Sequence, residues 1–503
     1  MMDSKAAWSR SSWPWSVDLL LLVFLLAAVP QRGRAADPVV PADPAVPADR
    51  TSTDQRPDPA ASPILLRGVQ LFDVHGGAMS GPQDILITDG IIREVRPSLP
   101  ERDALEREAG GGQPQPLRPE RSTLACDTIE CTGKYAIPGL WDCHVHLSHL
   151  TLESEDSLRS ALAGFVQRGV MQVRDVGGPI DRLSALSRRI AEGELLGPEI
   201  FYAGPMLEST PLTWENINQE LPGFTVAIDS EADVDSLLPA LAAQGACIIK
   251  TFNRIDKPLY RHVVEVARRC SLKIVHDAGM PLFHWMPMDE ALELGVTSFE
   301  HAKSPWPIVL VDDLREKHDA ITGPQGNPPG QMMCMSAAVE QGLGAISDER
   351  LLDLGRLMVE HEAFLCPTLY VFQEMSDAAD STKTEAQQAM MKKVLAAMNT
   401  LSNHFVRELS ACGVRMLVGQ DGCDPQATLA EMELMEQCGV SAAEVLRGAT
   451  IYPAEWLEIT DRLGSISPGR IANIVILNAD PLADITHAGD IHLVLHQGEL
   501  VDR

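Results

Sequence analysis

Gly139-Leu140-Trp141-Asp142-Cys143-His144-Val145-His146 is an apolar run that closes on His-x-His. It reads as a buried strand. Strand side chains alternate in direction, so His144 and His146 share one face, while Cys143 and Val145 share the other. Two imidazoles on one face can hold one metal ion, and imidazole suits Zn, Fe, Ni and Cu. An isolated His-x-His is more often an ordinary strand end. What matters is whether the chain supplies further ligands where a single fold can gather them.

Downstream, short apolar strand patterns alternate with helical stretches. The strand patterns are AIPGLWD (136–142), GVMQVRDV (169–176), PEIFYAGP (198–205), GACIIKTF (245–252), SLKIVHDA (271–278), GVTSFEHA (295–302), HEAFLCPTL (361–369) and GVRMLVGQD (413–421). Segments such as EDSLRSALAGFVQRG and LYRHVVEVARRC lie between them with helical spacing. Eight β units with intervening helices predict an α/β fold, a (β/α)8 TIM-like barrel over 138–455. Upstream, LLRGVQLFDVHGG and DILITDGIIREVRP are short alternating strands broken by Gly and Asp-Gly turns, and similar strands return after residue 456. Residues 63–137 and 456–503 are therefore expected to pair into a small β-sandwich domain formed from both chain ends. Residues 101–122 are polar and rich in Glu, Arg, Gly and Pro, and read as a loop. Residues 303–346 form an oversized gap after the sixth strand, with the Gly/Pro-rich loop GPQGNPPGQMMCM inside it.

The N-terminus has the form of an export signal. Lys5 and Arg10 precede an apolar run from Val17 to Val29, and the small residues Ala35-Ala36 follow. The run is shorter than the ~20 residues that span a bilayer. The expectation is a signal peptide over 1–36, a periplasmic or secreted product, and no stable membrane insertion after cleavage. Residues 37–62, rich in Pro, Ala and Asp, read as a poorly ordered tether. The formal net charge of -29 argues against nucleic acid as a partner, because phosphate needs basic patches. A small-molecule substrate is expected, and a homo-oligomer is compatible with the sequence. The 10 cysteines contain no Cys-x-x-Cys; Cys126 and Cys131 are close enough to pair, and most others sit in apolar runs as buried thiols.

In a (β/α)8 barrel the active site lies at the carboxyl ends of the strands. Strand one ends in His144 and His146, strand four in Lys250, strand five in His276, strand six in His301 and strand eight in Asp421. Each alone could be a core histidine or an edge charge; their joint placement points to metal chemistry. Two divalent ions bridged by hydroxide can activate water and polarise a carbonyl. Asp421 could bind one ion and act as general base. Lys250 cannot bind metal as an ammonium, but can as a neutral amine or after CO2 converts it to a carbamate, which can bridge two ions.

The segments CTGKYAIPGLWDCHVHL, GACIIKTF, IVHDAG, GVTSFEHA, VGQDG and VLRGATIYPAEWLEITDRLGSISPGRIANIVILNADPL resemble the amidohydrolase superfamily. The resemblance implies that His144, His146 and Asp421 bind one metal ion and that His276 and His301 bind the second, most often Zn. It implies a carboxylated Lys250 as the bridge, as in prolidase-like and other dipeptide-cleaving members. Deaminase members bind one ion and generally lack that lysine. The chain departs from the pattern at Gly419-Gln420-Asp421-Gly422, often Gly-Thr-Asp-Ala, and at His276-Asp277, where a second histidine is common two residues on. The expected activity is hydrolysis of an amide or peptide-like bond in a dipeptide or N-acyl amino acid. The alternatives are a mononuclear deaminase, a hydrolase of cyclic amides or lactones, and a non-catalytic binding protein on the same fold. Arg174, Tyr202 and Tyr370 are further candidates for substrate contact; His149 lies off the alternating face.

Overall fold

The structure, a computed structural model, describes residues 62–98, 126–278, 286–306, 308–322, 334, 337–338, 340–377 and 385–503. The expected signal peptide, the tether up to residue 61, the polar loop 101–122 and most of the Gly/Pro-rich segment in 303–346 lie outside the described residues. Among the described residues no helix is long and apolar enough to cross a membrane.

The N-terminal strands are β1 (Ile64–Asp73), β2 (Ala78–Thr88), β3 (Ile91–Pro97), β4 (Asp127–Glu130) and β5 (Tyr135–Pro138). Then come β6 (Leu140–Val145), β7 (Val170–Asp175), β8 (Glu199–Tyr202), β9 (Met206–Glu208), β10 (Thr225–Ala227), β11 (Ile248–Thr251), β12 (Lys273–His276), β13 (Ser298–Glu300), β14 (Phe364–Cys366) and β15 (Arg415–Met416). The C-terminus adds β16 (Ile474–Leu477), β17 (Ile491–His496) and β18 (Glu499–Leu500).

Strands from both chain ends join one eight-stranded sheet in the order β18-β17-β16-β5-β1-β2-β3, with β4 on β1. By hydrogen bonding this is a single sheet rather than the two layers a sandwich implies. Its tight turns follow their residues. Asp89-Gly90 joins β2 to β3 and Gln497-Gly498 joins β17 to β18, all four at positive φ, as a two-residue hairpin turn requires. Alternate residues Leu66, Ile85, Ile87, Ile474, Ile476 and Leu495 form its own apolar core.

Gly139 is the crossing point. The predicted single strand 136–142 is two strands. Tyr135–Pro138 runs in the eight-stranded sheet, antiparallel to β16, and Leu140–Val145 runs parallel to β7. Between them Gly139 N–H bonds the Asn473 carbonyl, and a Cβ there would lie 2.8 Å from Met171 Sδ. Only a residue without a side chain lets the two sheets approach so closely.

The remaining strands are parallel. One sheet has the order β6-β7-β8, the other β10-β9-β11-β12-β13-β14-β15. Strands β9 and β10 are additions that the alternating pattern did not suggest. The last predicted strand, 413–421, pairs as a ladder only at Arg415–Met416. Backbone bonds link the two parallel sheets at both margins: Cys247 N–H to the Tyr202 carbonyl, and Cys143 N–H to the Val418 carbonyl.

Helices pack outside these strands. Lys257–Arg269 is typical: Asp256 caps it by accepting from Leu259 N–H, and its buried face carries Leu259, Tyr260, Val263, Val264, Val266 and Ala267. Full burial of each large apolar side chain is worth roughly 1.5–3 kcal/mol. Cys126 and Cys131 are both thiols, so the pair that sequence proximity allowed is not formed.

Candidate metal centre

His144 sits in β6 and His146 one residue beyond its end, both buried, and both direct Nε2 at one atom. Asp421 Oδ1 lies 3.2 Å from His144 Nε2 and 3.3 Å from His146 Nε2. Their outer nitrogens are fixed. His144 Nδ1 donates to Glu300 Oε2 at 2.6 Å, and His146 Nδ1 donates to the Gly177 carbonyl at 2.8 Å. A carboxylate and a carbonyl behind the rings set the tautomer and leave both Nε2 lone pairs facing inward, the usual preparation of a histidine ligand. The donor atoms of His144, His146 and Asp421 all lie within 4.8 Å of one another. Two nitrogens from buried histidines and an oxygen of the partly exposed Asp421 carboxylate fit a divalent ion.

The turn after His146 is held by Asp175, whose carboxylate accepts from Leu147 N–H at 2.7 Å and Gly177 N–H at 3.1 Å. Asp142 plays a similar part across the β6 margin, accepting from His144 N–H, from Gln420 and from the Thr428 hydroxyl. Burial pushes the Asp175 carboxyl up to about 7 despite those bonds. Neither aspartate stood out in the sequence, because a lone Asp inside an apolar strand has no motif; the only signal was a charge where none should be buried unpaired.

His301 and Asp421 both adopt positive φ, 65° and 60°. Non-glycine residues in this region cost of order 1–3 kcal/mol and cluster at functional sites. His301 Nδ1 bonds Thr368 Oγ1 at 2.7 Å, and its Nε2 lies 3.0 Å from Asp277 Oδ2. Lys250 Nζ is 3.2 Å from the same Asp277 oxygen and 3.4 Å from His144 Nε2. Five of the six residues singled out in the sequence thus meet in one cluster.

His276 does not join them. Its Nε2 donates to the Met286 carbonyl at 3.1 Å, and its Nδ1 receives the Tyr260 hydroxyl at 2.9 Å. Both nitrogens are already engaged, and burial lowers the ring's pKa to about 4, which keeps it neutral. Strand register is the reason. Lys250 pairs with Val275 and Thr251 with His276, so the face that carries Lys250 inward carries His276 outward. The next inward residue is Asp277, which takes the place expected of His276.

The remaining candidates have other partners. Arg174 is fully buried, donating to the Cys143 carbonyl, Ser298 Oγ and Glu300 Oε1, so it braces the strands. The Tyr202 hydroxyl donates to the Gln244 carbonyl. Tyr370 is the second residue of the helix Leu369–Asp377, whose first two N–H groups are accepted by the buried Glu431. His149 lies tilted against Phe224 beside His146, with ring centroids 5.2 Å apart and planes at 54°.

The charges balance closely. Burial would raise the Asp421 carboxyl, but the histidines around it, His144 foremost, hold it well below the usual range. Burial works against a charged His144, yet Asp421, opposed by Lys250 and joined by Glu300, keeps its pKa above the ordinary value. Backbone spacing is equally tight. A Cβ on Gly419 would lie 2.5 Å from Cys366 Sγ and 2.7 Å from His144 N. Gly419→Ala is therefore expected to cost about 1–3 kcal/mol by overpacking, read as a lower denaturation midpoint; an unchanged midpoint would contradict the closeness of this packing.

Residues 333–501 match the model of the amidohydrolase family. A dihydroorotase from Trichlorobacter lovleyi is 26% identical over 105 residues, which is 20% of this chain and 20% of the relative's own length. A solved Xaa-Pro dipeptidase with bound methionine in its active site superposes with a TM-score of 0.62 at 19% identity, covering 88% of this chain and 100% of that one. A prolidase complexed with N-methylphosphonate-L-proline gives 0.62 at 20%, with 88% and 100% covered, and a molinate hydrolase gives 0.60 at 18%, with 88% and 95% covered. The match over residues 333–501 is to the amidohydrolase family, and the fold is shared with these hydrolases along 88% of the chain.

Proposed function

We propose that this protein is a metal-dependent hydrolase of carbon–nitrogen bonds in small molecules, with its reaction centre at His144, His146, Lys250, Asp277, His301 and Asp421. The observation that carries the reading is the convergence of His144 Nε2 and His146 Nε2 on Asp421 Oδ1, each with its outer nitrogen already committed. The backbone bonds at both sheet margins support a closed (β/α)8 barrel over 138–455, with 63–137 and 456–503 as the second domain.

His144, His146 and Asp421 would hold the first divalent ion, with Zn favoured by the imidazole ligands. When bound, the ion supplies a Lewis acid that polarises a carbonyl and activates water. Asp421 does the proton work. Its Oδ1 faces the histidine pair and its Oδ2 is directed elsewhere, 3.8 Å from His301 Nδ1. Its carboxylate is the base placed to take the proton of the attacking water and pass it to the leaving amine. His301, anchored on Thr368, lies beside that oxygen. Lys303 follows closely, its Nζ 5.1 Å from the Phe372 ring centroid. Burial lowers its pKa while Asp277 and Asp421 pull it up, and as a cation it would meet the carboxylate of a dipeptide or N-acyl amino acid.

The sequence expectation of two ions, with a CO2-derived carbamate on Lys250, requires a second site from His276 and His301. The outward position of His276 favours a second reading, a one-metal hydrolase of cyclic amides or lactones, or a deaminase. Ammonia release from an aminated heterocycle, unaffected by Lys250→Ala, would decide for the deaminase. The primary test is metal analysis together with a screen of dipeptides and N-acyl amino acids beside esters and lactones. Amine release by the metal-replete chain is expected. Metal-replete protein that hydrolyses nothing in the panel would overturn the reading in favour of a binding protein.

Asp175 supplies an independent check. Asp175→Asn would turn an amide NH2 toward one of the two backbone N–H groups it now accepts, loosening the Gly177 carbonyl behind His146. Metal affinity is expected to fall about 10–100-fold in a competitive chelator titration. The N-terminal pattern supports export with cleavage after Ala36; N-terminal sequencing of the product should begin at Asp37, and a product that retains Met1 would count against it.

A further inference from the structure

We infer that the chain holds one metal ion rather than two, and that an ion pair between Asp277 and an unmodified Lys250 stands where the second would sit. The inference deepens the proposed function and rests on it. A second ion needs protein donors beyond those of the first, and structural and catalytic sites draw on three or four. Of the residues the resemblance implied for it, His276 is spent on Met286 and Tyr260. His301 remains, but its Nε2 already meets Asp277 Oδ2 at 3.0 Å.

Asp277 is also what Lys250 faces. The amine lies 3.2 Å from Asp277 Oδ2 and 3.4 Å from His144 Nε2, and 5.9 Å from the Phe252 ring centroid. The Asp277 carboxylate and the Phe252 ring both suit a cation. A carbamate on Lys250 would reverse the sign of the group. It would set an anion against the buried Asp277 carboxylate, with Glu300 and Asp421 also near, where like charges repel most strongly. A histidine at position 277 would have no such conflict. One aspartate on the inward face of β12's end thus selects the amine over the carbamate, and the Lys250–Asp277–His301 chain becomes a fixed wall beside a single ion.

The test uses the full chain, loaded with excess Zn in the presence of 13C-bicarbonate, desalted, and read by elemental analysis and by 13C NMR. One equivalent of metal and no carbamate carbon signal are expected. Two equivalents with a carbamate signal would overturn the inference while leaving the proposed hydrolase standing. No retained metal would remove both. Asp277→His, treated identically, is expected to gain a second equivalent and a carbamate signal; a variant that stays at one equivalent would show that Asp277 is not what excludes the second ion. The wild-type measurement decides the metal count even where that variant fails to fold.

Discussion

Asp421→Asn is expected to lower turnover about 10²–10⁴-fold, the range of a lost general base, while the chain keeps its fold and most of its metal. The substitution is informative because of where Asp421 sits. Its φ is 60°, a left-handed backbone that Asn adopts about as readily as Asp, so no backbone strain is added. The Asn carbonyl oxygen can still occupy the Oδ1 position 3.2 and 3.3 Å from the two histidines. What is lost is the negative charge and the second basic oxygen. The measurement is kcat on whichever substrate the screen identifies, with metal content determined on the same sample. Turnover near the parent value with metal retained would remove Asp421 from the proton path. Loss of turnover together with loss of metal would assign it a ligand role only.

The same aspartate was legible in the sequence, as were His144, His146, Lys250 and His301, because strand ends in an alternating β/α pattern can be found from apolar runs alone. The face of a strand is harder. His276 lies within the predicted strand 271–278, and its position along the chain is as expected. Its direction depends on which residue of β11 it pairs with, and a one-residue difference moves every side chain to the opposite face. The pairing of Lys250 with Val275 settles that question, and only a structure carries it. Asp277 was visible as the departure at the fifth strand, yet nothing local said that it pointed inward. The buried carboxylates Asp142, Asp175 and Glu300 were missed for a related reason. Each serves groups far along the chain: Asp142 holds Gln420 and Thr428, and Glu300 joins Arg174 to His144. Interactions of that separation leave no spacing to read. The single hydrogen-bonded sheet at the chain ends is the same problem on a larger scale, since alternation reports strands but not which edges meet.

Arg174→Met should produce the largest loss of stability, about 3–5 kcal/mol, the range found when one partner of a buried ion pair is removed. The guanidinium is wholly enclosed. It bonds Glu300 Oε1 at 2.5 Å, Ser298 Oγ at 2.7 Å and the Cys143 carbonyl at 2.6 Å, tying β6, β7 and β13 together beneath the metal centre. Methionine fills similar volume without the charge and leaves Glu300 buried with only His144 and Ser298. Adding Glu300→Gln to Arg174→Met should recover part of the loss, because the stranded charge rather than the missing contact dominates. The dependence on pH gives a second check. Burial raises the Glu300 carboxyl, but Arg174 and then His144 outweigh it and bring the pKa from 4.5 to about 2. A folded pKa below the unfolded one stabilises fully above the unfolded value, and that contribution is lost as pH falls through the folded value. The parent chain should therefore lose this stability between about 4.5 and about 2. In Arg174→Met the carboxyl titrates higher, so the gap between the two proteins should narrow as the solution is acidified through that window. Urea midpoints measured from neutral pH downward read both effects. A gap under about 0.5 kcal/mol at neutral pH would place Arg174 among ordinary surface substitutions and contradict its role as the brace that aims His144.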